Sequence, residues 1–229
     1  MRLIWFWIRI IPSLPWIYFT ALKAQKLPYE QRFPLLKKVA VFVVGKLHIE
    51  IEIIGKNNIP LTEGFLFASN HQGSADAFIL VSSSDVCITA VSKIEGQKIP
   101  FLSTWYKTME VIYFKRESLK DAVRMASKLS EYLAMGRNVM IFPEGTRSRS
   151  QNMNEFKPGA FKGAMKARVP IIPIALINAY IPLDTKQKKE KIKVIYCQPI
   201  HYEEYAGWTT IQLAKEVKDR IQTAIDDYQ

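Results

Sequence analysis

The chain has 229 residues, 48% of them hydrophobic, which is length enough for one domain with a proper core. Lys and Arg number 32 against 21 Asp and Glu, a formal charge of +11. Such a field favours anionic partners: lipid headgroups, coenzyme phosphates, an acidic carrier protein or nucleic acid. Cys87 and Cys197 lie far apart and form no C-x-x-C, so they read as reduced core residues and neither a disulfide framework nor a structural metal is expected.

Residues 1–46 read as hydrophobic and basic membrane-anchoring helices. Leu3 to Leu22 is mostly apolar and carries Trp5, Phe6, Trp7, Trp16, Tyr18 and Phe19. About twenty residues would just span a bilayer. Arg9 in mid-segment is costly there, however, and Pro12 and Pro15 interrupt a helix. Tryptophan and tyrosine prefer the interface, so a monotopic anchor in one leaflet is favoured over a span. Arg9 also splits the apolar stretch that a signal peptide would need. Lys23, Lys26, Arg32, Lys37 and Lys38 flank a second apolar stretch, Val39 to Val44. It reads as the second helix of a hairpin whose basic residues meet anionic lipid, or as an amphipathic helix packed on the domain.

Residues 47–229 read as an α/β domain. Leu47 to Ile54 alternates apolar and polar, a half-exposed strand with His48 on its outer side. Further strands are expected at Phe65–Ala68, Val86–Val91, Val111–Phe114, Val139–Phe142, Ile171–Ile177 and Ile192–Tyr196. A helix begins at Ser118, with Asp121 in the capping position and Leu119, Val123, Ala126, Leu129 and Leu133 along its inner face, and Gly136 ends it. A last helix from about Thr209 turns Ile211, Ala214, Val217, Ile221 and Ala224 or Ile225 inward. The alternation gives an α/β fold with a mixed, mainly parallel central sheet flanked by helices. His201 follows the last strand without an acid motif and reads as structural. The basic run Lys186 to Lys193 has no nucleic-acid fold signature beside it and reads as a solvated or membrane-facing loop, so no nucleic-acid partner is expected.

Chemistry enters at Asn70-His71-Gln72-Gly73-Ser74-Ala75-Asp76. A histidine can take a proton from a hydroxyl and return it within one turnover, and a nearby carboxylate fixes its tautomer and stabilises the imidazolium. On an ideal helix five residues turn about 140°, which would point the two side chains apart. They meet only if His71 precedes the helix and Asp76 lies in its first turn, with Gly73 freeing the turn and Ser74 as N-cap. A second segment, Phe142-Pro143-Glu144-Gly145-Thr146-Arg147-Ser148, leaves an apolar strand. Its arginine offers a planar fork of donors suited to phosphate.

Together these two motifs resemble the glycerolipid acyltransferase family. Ser92-Lys93-Ile94-Glu95 with Pro100-Phe101, Val111 to Arg116, and Val169 to Leu176 are similar to its remaining blocks, in the family's order, and the resemblance covers roughly residues 47 to 200. Two places depart. The second block commonly has glycine near its start and an acid or amide before its arginine, where this chain has Glu110 and Lys115. The first block often has serine two places after the histidine, where this chain has Gly73.

The resemblance implies transfer of a fatty acyl group from an acyl-CoA or acyl-carrier-protein thioester to the hydroxyl of 1-acylglycerol 3-phosphate (lysophosphatidic acid), giving phosphatidic acid in phospholipid synthesis. His71 is then the general base and Asp76 its orienting partner. Arg147 and Lys93 take the acceptor phosphate, with Arg116 a third. Glu144 holds Arg147 or organises the loop, Gly145 and Thr146 complete the substrate-binding loop, and backbone N–H groups around Gly145 are oxyanion donors. Arg149 adds positive field. No cofactor is needed beyond the thioester co-substrate, and the site works at a phospholipid membrane, on its cytoplasmic face. The same chemistry on another lysophospholipid or on glycerol 3-phosphate, and a basic membrane-binding module without catalysis, are the other readings.

Overall fold

The structure, a computed structural model, describes residues 2–60, 64–98, 102–115, 118–184 and 191–228. The chain opens with three helices, α1 (Arg2–Ile10), α2 (Leu14–Gln25) and α3 (Tyr29–Lys46). There follow β1 (Ile51–Ile54), β2 (Leu66–Ser69), α4 (Asp76–Ser83), β3 (Ile88–Lys93), α5 (Leu102–Thr108), β4 (Ile112–Phe114), α6 (Leu119–Ala134) and β5 (Asn138–Ile141). The second half adds α7 (Lys162–Ala167), β6 (Ile171–Ile177), α8 (Ile181–Asp184), β7 (Ile192–Tyr196), α9 (Tyr202–Tyr205) and α10 (Thr210–Tyr228).

The seven strands form one sheet in the order β1-β7-β6-β2-β5-β3-β4. Every neighbouring pair is parallel except β6 with β7. The expected mixed, mainly parallel sheet is what the chain builds. Both faces are covered, so the central strands are apolar on both sides. On β2, Leu66 and Ala68 face a core made with α6, α7 and α10, while Phe65 just before it and Phe67 face one made with α3 and α4. On β5, Val139 and Ile141 join the first core and Met140 the second.

The prolines act as the sequence implied. Pro12 and Pro15 lie in the first turns of a short 3-10 segment and of α2, so the apolar N-terminus is two short helices and a bend. Among the described residues, no helix is long and apolar enough to cross a membrane. The helices are joined to the sheet by a small apolar cluster of Ile10, Ile17, Val39 and Val43 with Phe78 of α4 and Trp105 of α5 against it. An ionic junction adds to this at the amino ends of β4 and β5. Glu110 accepts from Arg32 of α3 at 2.8 Å and from Arg137 at 2.5 Å, and the Arg137 guanidinium lies 4.2 Å from the Tyr29 ring.

Three expectations shift. The first strand is shorter than Leu47–Ile54 because α3 runs on to Lys46, and His48 sits in a left-handed turn (φ +53°), exposed. Val123 is exposed on α6, whose buried stripe is Met125, Leu129 and Leu133; two residues before Met125 falls on the opposite side of a helix. Ile211 is likewise exposed on α10, which buries Leu213, Ala214, Val217, Ile221 and Ile225. The Ser118 cap holds, its hydroxyl accepting from Asp121 N at 3.0 Å, and Gly136 takes φ +81° just past the helix. His201 is structural, as expected, and caps α9 in a reciprocal pair with Glu204.

Candidate active site

β2, β3, β4, β5 and β6 run parallel, so their carboxyl ends share one edge of the sheet, the edge where α/β folds place their ligands. His71 lies two residues past β2. Lys93 ends β3, Lys115 follows β4, and the segment Pro143–Arg147 follows β5. Motifs up to 76 residues apart therefore converge on one rim. Arg116 and residues 186–190 of the basic run lie outside the described residues.

The histidine and the carboxylate close into one unit. His71 Nδ1 donates to Asp76 Oδ2 at 2.8 Å. Asp76 is the first residue of α4 and is fully buried. Its Oδ2 also accepts from the backbone N–H of Gln72 at 2.7 Å and of Gly73 at 2.9 Å. The aspartate thus ties together the turn that precedes its own helix. Ser74, the expected N-cap, is not: Ala75 holds that position, and the Ser74 hydroxyl accepts from Arg147 Nη1 instead. Gly73 contributes an N–H and is absent from the left-handed glycines Gly55, Gly64, Gly136 and Gly145.

The His71 ring is 22% exposed, and it stacks on Phe142 with centroids 4.1 Å apart and planes 18° from parallel. With Nδ1 committed to Asp76, Nε2 has no partner among the described residues and keeps a lone pair able to accept a proton. Burial pushes the Asp76 carboxyl above its ordinary value, against the pull of the His71 ring and the two amides. Its Oδ1 is buried and makes no hydrogen bond. A desolvated carboxylate gains most when the ring beside it becomes charged.

Glu144 organises the arginine loop from within. It is 3% exposed, placed to organise the loop rather than to meet solvent. Its Oε1 accepts from His71 N at 2.6 Å, and its Oε2 from Asn154 N at 2.9 Å and Asn154 Nδ2 at 2.7 Å. Burial raises this carboxyl too, opposed by the same three donors. Two backbone bonds, Ser148 N to His71 O (2.8 Å) and Arg149 N to Gln72 O (3.1 Å), splice the two motifs side by side.

Gly145 takes φ +66° with open space where a Cβ would stand, so the turn needs glycine for its backbone and not for close approach. Its N–H donates to Phe142 O at 3.0 Å, which removes it from the oxyanion donors expected there. Thr146 and Arg147 are exposed at the loop tip, Arg147 leaning on Ser74 beside the His71–Asp76 turn. Lys93 is half-buried at the end of β3. The departure at Glu110 has a backbone meaning: it holds φ +53°, the region that glycine adopts most easily, and its carboxylate serves the junction at the far edge of the sheet.

The amides around the histidine carried no assigned role in the sequence. Asn70, fully buried, pairs both ways with the backbone of Leu176, donating at 2.9 Å and accepting at 2.7 Å. The signal available was their position, polar residues directly after an apolar strand. Among the described residues there is no group of three or more His, Cys, Asp or Glu side chains that could hold a metal ion.

Comparison with known proteins places the chain in a family. A family model described as Acyltransferase matches residues 50–177. A 1-acyl-sn-glycerol-3-phosphate acyltransferase of Borreliella burgdorferi is 30% identical over 62% of this chain and 55% of its own length. A 1-acyl-sn-glycerol-3-phosphate acyltransferase alpha of Mus musculus is 31% identical over 66% of this chain and 53% of its own. The chain thus spans about half the length of these curated relatives. The solved structure of the 1-acyl-sn-glycerophosphate acyltransferase PlsC from Thermotoga maritima, 18% identical, shares the fold with a TM-score of 0.83 over 99% of this chain and 94% of that one.

Proposed function

The chain belongs to the acyltransferase family, and on that premise we propose that it moves a fatty acyl group from a thioester to the free hydroxyl of 1-acylglycerol 3-phosphate, forming phosphatidic acid. The observation that carries this reading is the His71 ring, its Nε2 without a partner among the described residues, backed by Asp76 and set beside the Arg147 loop. Relatives named for the same reaction support the choice of acceptor.

In the proposed step, His71 Nε2 takes the hydroxyl proton as the acceptor oxygen attacks the thioester carbonyl. Asp76 holds the ring in the Nδ1–H tautomer and stabilises the imidazolium. The tetrahedral intermediate collapses with loss of the C–S bond. The proton passes from Nε2 to the departing sulfur, leaving one new C–O ester and one thiol. Arg147 and Lys93 supply positive charge for the acceptor phosphate. The acyl donor is a thioester of coenzyme A or of acyl carrier protein.

The site works at a membrane surface in this reading. Trp5, Trp7, Ile8, Ile11 and Phe19 are each about half exposed or more, an apolar and aromatic face suited to the interface of one leaflet. Both lipid substrates concentrate there.

An acceptor screen with one labelled acyl thioester in mixed micelles tests the proposal. Lysophosphatidic acid is expected to be the best acceptor. Faster acylation of glycerol 3-phosphate, or of a lysolipid without a terminal phosphate, would overturn the assignment.

A further inference from the structure

We infer that Gln72 is a positioning residue: its side chain, through Gln151 and Ala179, sets the register between the His71–Asp76 pair and the arginine loop. Its kinetic consequence rests on the acyl transfer proposed above. Gln72 is fully buried, a placement an amide tolerates only when its polar atoms are satisfied. All of its hydrogen-bonding groups are engaged. Its N–H donates to Asp76 Oδ2 at 2.7 Å, and its carbonyl accepts from Arg149 N at 3.1 Å. Its Oε1 accepts from Ala179 N at 2.8 Å, and its Nε2 donates to Gln151 Oε1 at 2.9 Å. Gln151 Nε2 carries the chain on to Asn178 Oδ1, in a turn where Asn178 holds φ +63°.

Three loops, leaving β2, β5 and β6, therefore meet on one side chain. The backbone bonds at His71 O and Gln72 O fix only the Ser148–Arg149 end of the arginine loop. The link to Gln151 fixes where that loop leads next. Without it the stretch from Arg149 to Asn154 is held only at its ends, by the two backbone bonds and by Glu144 on Asn154, and the slack lets Arg147 shift relative to the ring that must reach the acceptor hydroxyl. A small misplacement of a substrate-positioning group is costly to catalysis. Methionine matches glutamine closely in length and volume but offers no strong donor or acceptor.

The test uses full-length Q72M, Q151M and the double variant, assayed with lysophosphatidic acid and palmitoyl-coenzyme A in mixed micelles, alongside native-state amide exchange. In Q72M, the KM for lysophosphatidic acid is expected to rise about tenfold, as for one lost buried hydrogen bond, while the KM for the thioester stays within about twofold. The amides of Arg149 and Ala179 should exchange faster, with those of β2 and β5 unchanged. Q151M, altered at a half-buried position and so safe for folding, should reproduce the acceptor effect, and the double variant should be no worse than Q72M. Unchanged exchange at Arg149 and Ala179, equal rises in both KM values, or a silent Q151M would each overturn the inference. If the wild type acylates no lysophosphatidic acid, the functional proposal fails on its own, and the exchange at Arg149 and Ala179 then decides the splice alone.

Discussion

Asp76 and Glu144 are both held above their ordinary carboxyl range by burial, and both are tied to the two ends of His71, one at its ring and one at its backbone N–H. The linkage sign follows. Between the unfolded value, 3.8 for Asp76, and the higher folded value, the native state binds more protons than the unfolded chain. The stability these groups contribute is fully present below the unfolded value and is lost as pH rises through the folded one. Replacing Asp76 with Asn removes this titration. The difference in Tm, wild type minus Asp76→Asn, should therefore be smaller at pH 7 than at pH 4; a difference that grows with pH would contradict the burial argument. Glu144→Gln leaves three donors facing one acceptor oxygen and one amide, and should cost about 1–3 kcal/mol in chemical denaturation. A variant as stable as wild type would show that the loop is held by other means. The pairing of His71 with Asp76 was readable as a condition, because a five-residue step lets the two side chains meet only across a bend, and the second motif made that condition the better reading. The burial of Glu144 was not, since a carboxylate among Gly, Thr and Arg reads equally well as a surface group.

At the scale of elements, the site depends on parallel strands delivering four loops to one rim. The apolar runs gave every strand to within a few residues, because strands buried on both faces have a plain signature. Helix faces were harder. Val123 and Ile211 joined the apolar stripes on paper, yet a shift of two positions turns them to solvent. The third lesson sits at Glu110. Its φ of +53° explains why glycine suits that place, and the Glu110–Arg32–Arg137 junction explains how a glutamate is tolerated. The carboxyl is held below its ordinary range by Arg137 and Arg32, against its own desolvation. Its folded value is depressed, so this contribution is present at neutral pH and is lost as pH falls through that value. Glu110→Ala should lower stability by roughly 1 kcal/mol at pH 7, after screening of a partly exposed pair, and less at pH 4. Protection of α3 amides in hydrogen exchange should fall with it. Unchanged exchange in α3 would mean that the apolar cluster around Val39 and Val43 fixes the hairpin without the ionic junction.

For the whole molecule, the N-terminal helices combine two demands on one short segment. Ile10, Ile17, Val39 and Val43 face inward, and Trp5, Trp7 and Phe19 face outward. The sequence announced the aromatic content and the breaks at proline, but which rings face out needed the packing of α1 and α2 on α3 and α5. Trp5→Glu with Phe19→Glu should leave Tm nearly unchanged, since both side chains are more than half exposed. Co-sedimentation with anionic vesicles should weaken by more than about tenfold, because each aromatic gives up on the order of 2 kcal/mol of apolar burial. Equal sedimentation of variant and wild type would contradict an interfacial role for this face.

The proposed chemistry turns on one ring. The most direct measurement is single-turnover acyl transfer to lysophosphatidic acid by His71→Ala, with circular dichroism and Tm recorded on the same sample. Loss of a free ring nitrogen that carries the proton predicts a fall of roughly 10²–10⁴ in rate with the fold retained. Turnover within a few-fold of wild type, in a variant that is still folded, would contradict the account.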